Sequence, residues 1–394
     1  MRYDTHAGYS HIRSLGQQSF DVRNVCLHSS GLLLFAPSDD EDDSAAVLEH
    51  MHLYLLTNLY SSNMGYAFPV TIIRNSKYFS QFEHPFNSET LPLLAFGHPM
   101  RHVGHHQFES IFSAYSTMKA AGLPDASRLL VVHSPGLFSE VTTDSKNLSS
   151  SEIVLRSMYT SLFGSRPISI GNFLDSFDQF PHAPVCFSRA IIGSIQDARV
   201  PDQKQLPHLE LSAEITTSMR AHYRLPPLQH VSTGKLSLNA EAFAREHERI
   251  PGAPFLLLVE RSIGDARALR NADEIYSALA QIVNVARVRF EGMELQAQMV
   301  VCEAADIFVS VHGSDATNMI FMRPGSVAVT VSSIPCSDTS TGAGGLSFLN
   351  RLIALSQITP YCWDNAADFD NIGDVIGASI FTQICSCGYL HARY

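Results

Sequence analysis

An α/β protein built on a parallel sheet with helices on both faces is the fold class this sequence predicts. Three observations predict it. Residues 255–333 hold an apolar run of strand length at 255–259 and three further strands, at 285–290, 306–311 and 327–331. The segments between them show helical apolar spacing instead. The joints are short, and the resulting βαβαβαβ order is that of a parallel sheet. Ligands in such sheets sit at the carboxyl ends of strands. His312-Gly313 stands at such an end, ahead of a helix start that can hold an anion.

The elements of this half follow in order. Asn271 opens the first helix, with Glu274 three residues on as a capping box, and Ile275, Leu279, Ile282 and Val283 form its apolar face. A second helix is predicted over 293–304 and a short third over 314–322, stopped by Pro324-Gly325. The first half alternates more loosely. Residues 1–20 lack periodicity and read as a lead-in. Residues 25–35 read as two strands joined at Ser29-Ser30-Gly31, 47–60 as a helix, and 71–74 and 93–96 as strand pieces. Phe108, Ile111, Phe112 and Tyr115 give one helical face; 129–132 is a strand, 150–163 a helix and 185–193 a strand region. Residues 194–253 are rich in proline and polar side chains. The domain boundary is placed within that shift, near residue 235, giving domains 1–235 and 236–394. Helices are predicted over 346–356 and 372–384.

A chain of 394 residues has room for two domains, each with a sizeable core. Hydrophobic residues at 45% and charged residues at 16% suit a globular protein. The net charge of −11 argues against a nucleic-acid partner, so an anion pocket must rest on a few local arginines. No apolar run reaches the roughly 18–20 residues of a membrane helix. The first fifteen residues have no signal-peptide core, so membrane attachment is expected only through a leader absent from this chain. Of the seven cysteines none is spaced as a CxxC pair; Cys302 reads as a buried apolar thiol, and the others can pair only in an oxidising compartment. The acidic run 39–43 reads as a solvated loop, and Asn147-Leu148-Ser149 is one glycosylation sequon.

Three constellations carry chemistry. The turn His312-Gly313-Ser314-Asp315-Ala316-Thr317-Asn318 brings backbone N–H groups to a strand end, where a phosphate can approach them. Arg261, Arg267, Arg270 and Asn271 follow the first strand of the same half, where arginine can neutralise a diphosphate by paired contacts. His98, His102, His105 and His106 cluster with Glu109; His105 and Glu109 are one helical turn apart, a spacing for an acid/base pair. His102 and His106 share that spacing, which also serves zinc, but no further ligand is evident and no metal site is predicted. Ordinary alternatives stand beside each: a tight turn with a buried histidine, a solvated loop with Asn271 as a cap, and surface histidines.

These residues resemble glycosyltransferase family 61. Arg267 and Asn271 match the family's Arg-rich turn, Gln298 its helical glutamine, and His312-Gly313, Thr317-Asn318, Phe321-Met322 and Pro324-Gly325 its later motifs. Asn24-Val25-Cys26, Cys186-Phe187 with Gly193, and His105 with Glu109 are similar to first-domain features, so the resemblance spans about residues 21–370. The sequence departs from the pattern at His102, Ala297 and Asp315; the last sets a negative charge where a diphosphate would lie.

The resemblance implies two Rossmann-like domains facing a cleft, the GT-B type. It implies transfer of a sugar of the GlcNAc, xylose or arabinose class from a UDP-sugar to a glycan or protein hydroxyl, with inversion and without a required cofactor or metal. The second domain would bind the donor through Arg261, Arg267, Asn271, His312, Gly313, Ser314, Asp315, Thr317 and Asn318. His105 and Glu109 are the candidate catalytic residues. The partners implied are the UDP-sugar and a glycan or glycoprotein acceptor, and the place implied is the Golgi or endoplasmic reticulum lumen. Two other readings stay open: an inactive relative that binds glycans or acts as a scaffold, and a zinc hydrolase built on the histidine cluster.

Overall fold

The computed structural model describes residues 11–16, 19–28, 31–35, 70–73, 91–95, 107, 111–123, 129–133, 149–169, 172–173, 184–193, 211–261, 268–269, 272–332 and 356–364. The expected helices at 47–60, 346–356 and 372–384 lie wholly or almost wholly outside these residues. The chain divides into two compact units, Met1–His208 and Leu209–Tyr394.

The first unit contains β1 (His11–Gly16), β2 (Ser19–His28), β3 (Gly31–Phe35), β4 (Val70–Ile73), β5 (Leu91–Ala95), β6 (Leu129–His133), β7 (Ile168–Ser169) and β8 (Val185–Gly193). They form one sheet in the order β4-β3-β2-β8-β5-β6-β7, with β1 added to β2. The sheet is mixed. β2 runs antiparallel to β1, β3 and β8, whereas β5 is parallel to β6 and β8. The two-residue joint between β2 and β3 compels the antiparallel pair, since a parallel return needs a crossover of a dozen residues. Two helices are described here, α1 (Ser113–Ala120) and α2 (Ser150–Phe163). Ile111, Phe112 and Tyr115 are buried, as their spacing predicts. Ser149 caps α2: its Oγ accepts from the Glu152 N–H, and the Glu152 carboxylate accepts from the Ser149 N–H at 2.7 Å.

The reading of residues 1–20 as a lead-in is corrected, because His11–Gly16 and the start of β2 are strand. An ion pair explains why a segment without apolar periodicity joins the sheet. Asp21, nearly buried, accepts from Arg13 at 2.7 Å and from Arg189 of β8 at 2.9 and 3.0 Å. Burial pushes the Asp21 carboxyl up, but the hydrogen bonds and charge of Arg189, then of Arg13, outweigh it and hold the carboxyl below its ordinary value. A depressed folded-state value means the stabilisation is full above the unfolded carboxyl value of about 3.9 and is lost as pH falls through the folded one. Thermal unfolding from pH 7 to 3 should therefore show an acid loss that is shallower in Asp21→Asn, which should also be less stable at pH 7. Equal slopes would remove this role.

A disulfide joins Cys26 of β2 to Cys186 of β8, direct partners in the antiparallel register, 160 residues apart in sequence.

The second unit contains β9 (Phe255–Val259), β10 (Asn284–Val288), β11 (Ile307–Val311), β12 (Val327–Ser332) and β13 (Thr359–Asp364). All neighbours are parallel, in the order β10-β9-β11-β12-β13. The four expected strands are present and β13 adds a fifth. The helices are α3 (Ser212–His222), α4 (Leu238–Glu246), α5 (Ala272–Leu279) and α6 (Leu295–Ala304). Leu256, Leu258, Val309 and Val329 form one face of the sheet with Ile275 and Leu279 of α5. Phe308 points to the opposite face, where its ring stacks on Phe290 at 6.3 Å between centroids. Both faces are covered, and β9 and β11 are buried at every position. The protein is therefore α/β with parallel strand pairs and packed helices, as expected.

The boundary expected near residue 235 falls instead between His208 and Leu209. A buried ion pair accounts for the shift. Arg220 of α3 donates from Nη2 to Glu303 of α6 at 2.7 Å and from Nε to the Pro226 carbonyl at 2.8 Å. Glu303 also accepts from the Ser237 backbone N–H at 2.7 Å and from its hydroxyl at 2.9 Å. Ser237 caps α4, so one carboxylate ties together α3, α4 and α6. Among the described residues no helix is long and apolar enough to cross a membrane.

Candidate functional site

Strand order sets the position of the site. β9 has β10 on one edge and β11 on the other. The chain leaves β9, passes through α5 to β10, then returns through α6 to β11 on the far side. The carboxyl ends of β9 and β11 thus bound the switch point of the sheet, where crevices form in open α/β folds. Glu260-Arg261 follows β9, and His312-Gly313 follows β11.

These two ends meet through Arg261. Its Nε donates to Asp315 Oδ2 at 2.5 Å, and its guanidinium lies flat against Gly313. A Cβ built on Gly313 would stand 3.0 Å from Arg261 Cζ and closer still to Nη2. Gly313 is extended (φ 162°), a conformation open to any residue, so the close approach is what calls for glycine here. Among the described residues the two Nη nitrogens of Arg261 make no hydrogen bond. Among these residues, then, the terminal fork of the guanidinium, the edge that suits a phosphate or carboxylate, is left for another partner.

The short helix expected after Gly313 is present as a 3-10 helix, Ser314–Phe321. The Ala316 N–H donates to the Gly313 carbonyl at 3.1 Å, and Thr317 Oγ1 donates to the Ser314 carbonyl at 2.6 Å. The His312 N–H donates to the Val331 carbonyl at 2.8 Å, fixing the strand end. Thr317 and Asn318 are buried, and His312, Ser314 and Asp315 are partly exposed. Arg261 and Asp315 are likewise partly open, with side-chain exposures of 21% and 25%. The Asp315 charge, which reads from sequence as a repellent for a diphosphate, is engaged by Arg261.

The structure therefore brings together Arg261, His312, Gly313, Ser314, Asp315, Thr317 and Asn318. Arg267 and Asn271 lie outside the described residues, and so do His105 and Glu109. Gln298, matched to the family pattern, is buried on α6, where its Nε2 donates to the Met293 carbonyl at 2.8 Å. It fixes the loop that enters the helix.

Sequence reading missed a second charged group at the same end of the sheet. Glu260, buried, accepts from Arg287 Nε, and Arg289 stands 3.8 Å away. Arg287 also donates to Asp273 at 2.6 Å and lies over the Tyr276 ring at 5.5 Å. The bond to Glu260, opposed by burial and aided by Asp273, lifts the Arg287 guanidinium above its already high value. The Arg-Val-Arg alternation at the end of β10 was the available signal, since period two puts both arginines on one face. Cys302 is buried with its thiol pushed up by desolvation, which makes it inert. Among the described residues no three His, Cys, Asp or Glu side chains could share a metal ion.

A family model described as Glycosyltransferase 61 matches residues 125–329. The match contains Arg261 and the 312–318 turn, and begins after His105 and Glu109. No curated protein sequence matches the chain significantly.

Proposed function

We propose, from the premise that this chain belongs to the glycosyltransferase 61 family, that it moves a sugar from a UDP-sugar to a hydroxyl of a glycan or glycoprotein with inversion. A glycosyltransferase needs a sugar donor and an acceptor in any case. The nucleotide, the GlcNAc, xylose or arabinose class of the sugar and the stereochemistry are our reading. One observation carries it: Arg261 lies against Gly313 at the switch point of the second sheet, with its terminal fork uncommitted among the described residues.

In this reading the diphosphate meets the Arg261 fork and the backbone N–H groups of the turn after His312. The acceptor oxygen forms a bond to the anomeric carbon from the face opposite the leaving group. The bond from that carbon to the β-phosphate oxygen breaks, and its electron pair departs with UDP. Arg261 meets the charge that develops there, and preorganised contacts of this kind are usually the largest catalytic contribution. The acceptor proton passes to a base, for which Glu109 and His105 are the candidates. No metal or other cofactor is required by the scheme. The GT-B arrangement, with the first unit serving the acceptor, belongs to the same reading.

Titration calorimetry of UDP without metal tests it. Wild type should bind, and Arg261→Ala should bind roughly 100-fold more weakly, the worth of two charge-assisted contacts of about 1.5 kcal/mol each. Absence of UDP binding by the wild type would turn attention to an inactive, glycan-binding relative.

The Cys26–Cys186 disulfide supports placement in an oxidising lumen such as the Golgi or endoplasmic reticulum. Alkylation of the native protein in cell extract, followed by peptide mapping, should find both thiols blocked. Free Cys26 would count against the lumen.

A further inference from the structure

We infer that Asp315 is a positioning residue, one that acts on the donor through Arg261 and fixes that arginine in its binding pose. This rests on the UDP reading above and deepens it.

Three observations lead to it. Asp315 engages Nε, the side edge of the guanidinium, at 2.5 Å, and leaves the Nη1–Nη2 end to another partner. An aspartate that merely neutralised the arginine would use that terminal fork, as paired carboxylates commonly do. Second, the guanidinium is seated on the bare α-carbon of Gly313, so it is held from beneath as well as from the side. Third, Arg261 comes from the loop after β9 and Asp315 from the turn after β11, 54 residues on. The bond spans the switch point and locks a long, rotamer-rich side chain across it. Ordering such a side chain before the ligand arrives removes a cost otherwise met at binding.

The opposite expectation is a repellent Asp315, a negative charge near a diphosphate that weakens it. The two differ in sign. Positioning predicts that Asp315→Ala binds UDP about 5- to 20-fold more weakly, the cost of ordering a long side chain plus a lost ion-paired hydrogen bond. Asp315→Asn keeps an acceptor oxygen in the same place and should recover most of that loss. Repulsion predicts that both variants bind more tightly.

The experiment is metal-free calorimetry with UDP on wild type, Asp315→Asn, Asp315→Ala, Arg261→Ala and the Arg261→Ala/Asp315→Ala double variant, with melting temperatures recorded alongside. If Asp315 works through Arg261, its removal does nothing further, or tightens binding slightly, once Arg261 is gone. A general structural role would instead weaken the double variant again. Equal or tighter binding by Asp315→Ala in the wild-type background overturns the positioning role and leaves the UDP site standing. So does a further loss in the double variant. No UDP binding by the wild type overturns both. Should Asp315→Ala fail to fold, the isosteric Asp315→Asn decides alone: within about threefold of wild type supports the inference, and clearly tighter binding overturns it.

Discussion

Gly313→Ala should lose UDP binding and sugar transfer by about a hundredfold while its unit stays folded. The new methyl group would fall on the Arg261 guanidinium, whose Cζ stands 3.0 Å from the position of that carbon. The atoms it displaces are the far end of a flexible side chain, which can swing away cheaply. Backbone strain is not involved, because Gly313 is extended. The arginine therefore moves and the fold persists. Two charge-assisted contacts of about 1.5 kcal/mol each are lost, which corresponds to a factor of about a hundred. Calorimetry with UDP and a melting curve on one sample separate the two consequences. A variant that binds as wild type would show that Arg261 does not contact the donor in this pose. A variant that unfolds would show that Gly313 serves packing.

Glu303→Leu should be the most damaging single change to stability in the second unit. Glu303 is 3% exposed and its partner Arg220 is 1% exposed. Removing one member of a buried pair strands the other charge without water, at a cost of about 3–5 kcal/mol. Here it strands the Ser237 N–H and hydroxyl as well. For a unit of this size the melting temperature should fall by about 10 °C or more. Adding Arg220→Met to Glu303→Leu should recover part of the loss, since the stranded cation is then gone. Recovery will be incomplete because Ser237 and the Pro226 carbonyl still lack their partners. Thermal unfolding of both single variants and the double variant measures this. Additive losses would mean that the two residues do not act as a pair.

The second sheet was legible because its central strands are buried on both faces, β9 as an unbroken apolar run and β11 broken only by Ser310. Phe255–Val259 and Ile307–Val311 needed no further context. β13 was not legible, and Pro360 is the reason. A proline argues against a central strand, yet β13 lies at the sheet edge, where proline is tolerated. β1 escaped notice because its sequence lacks apolar alternation, and an ion pair helps to hold it in place. Composition placed the boundary near residue 235, whereas α3 falls in the second compact unit, tied to α6 by an arginine that sequence shows only as polar. At the site, the His312–Asn318 turn was readable as a motif. The Arg261–Asp315 bond was not. It exists only because β9 and β11 are neighbours, a fact of strand order that no local pattern carries.

The two sheets also differ in when they can be completed on a growing chain. β9 to β12 pair within one stretch of sequence. β2, at the middle of the first sheet, must wait for β8, 160 residues further along at their cysteines. At synthesis rates of about 5–20 residues per second that interval is roughly 8–30 seconds. Throughout it β2 has a bare edge and Cys26 has no mate. Until residue 193 emerges the first sheet lacks β8, the strand that joins β2 to β5, and a chaperone or thiol oxidoreductase would find the open edge of β2 most exposed then.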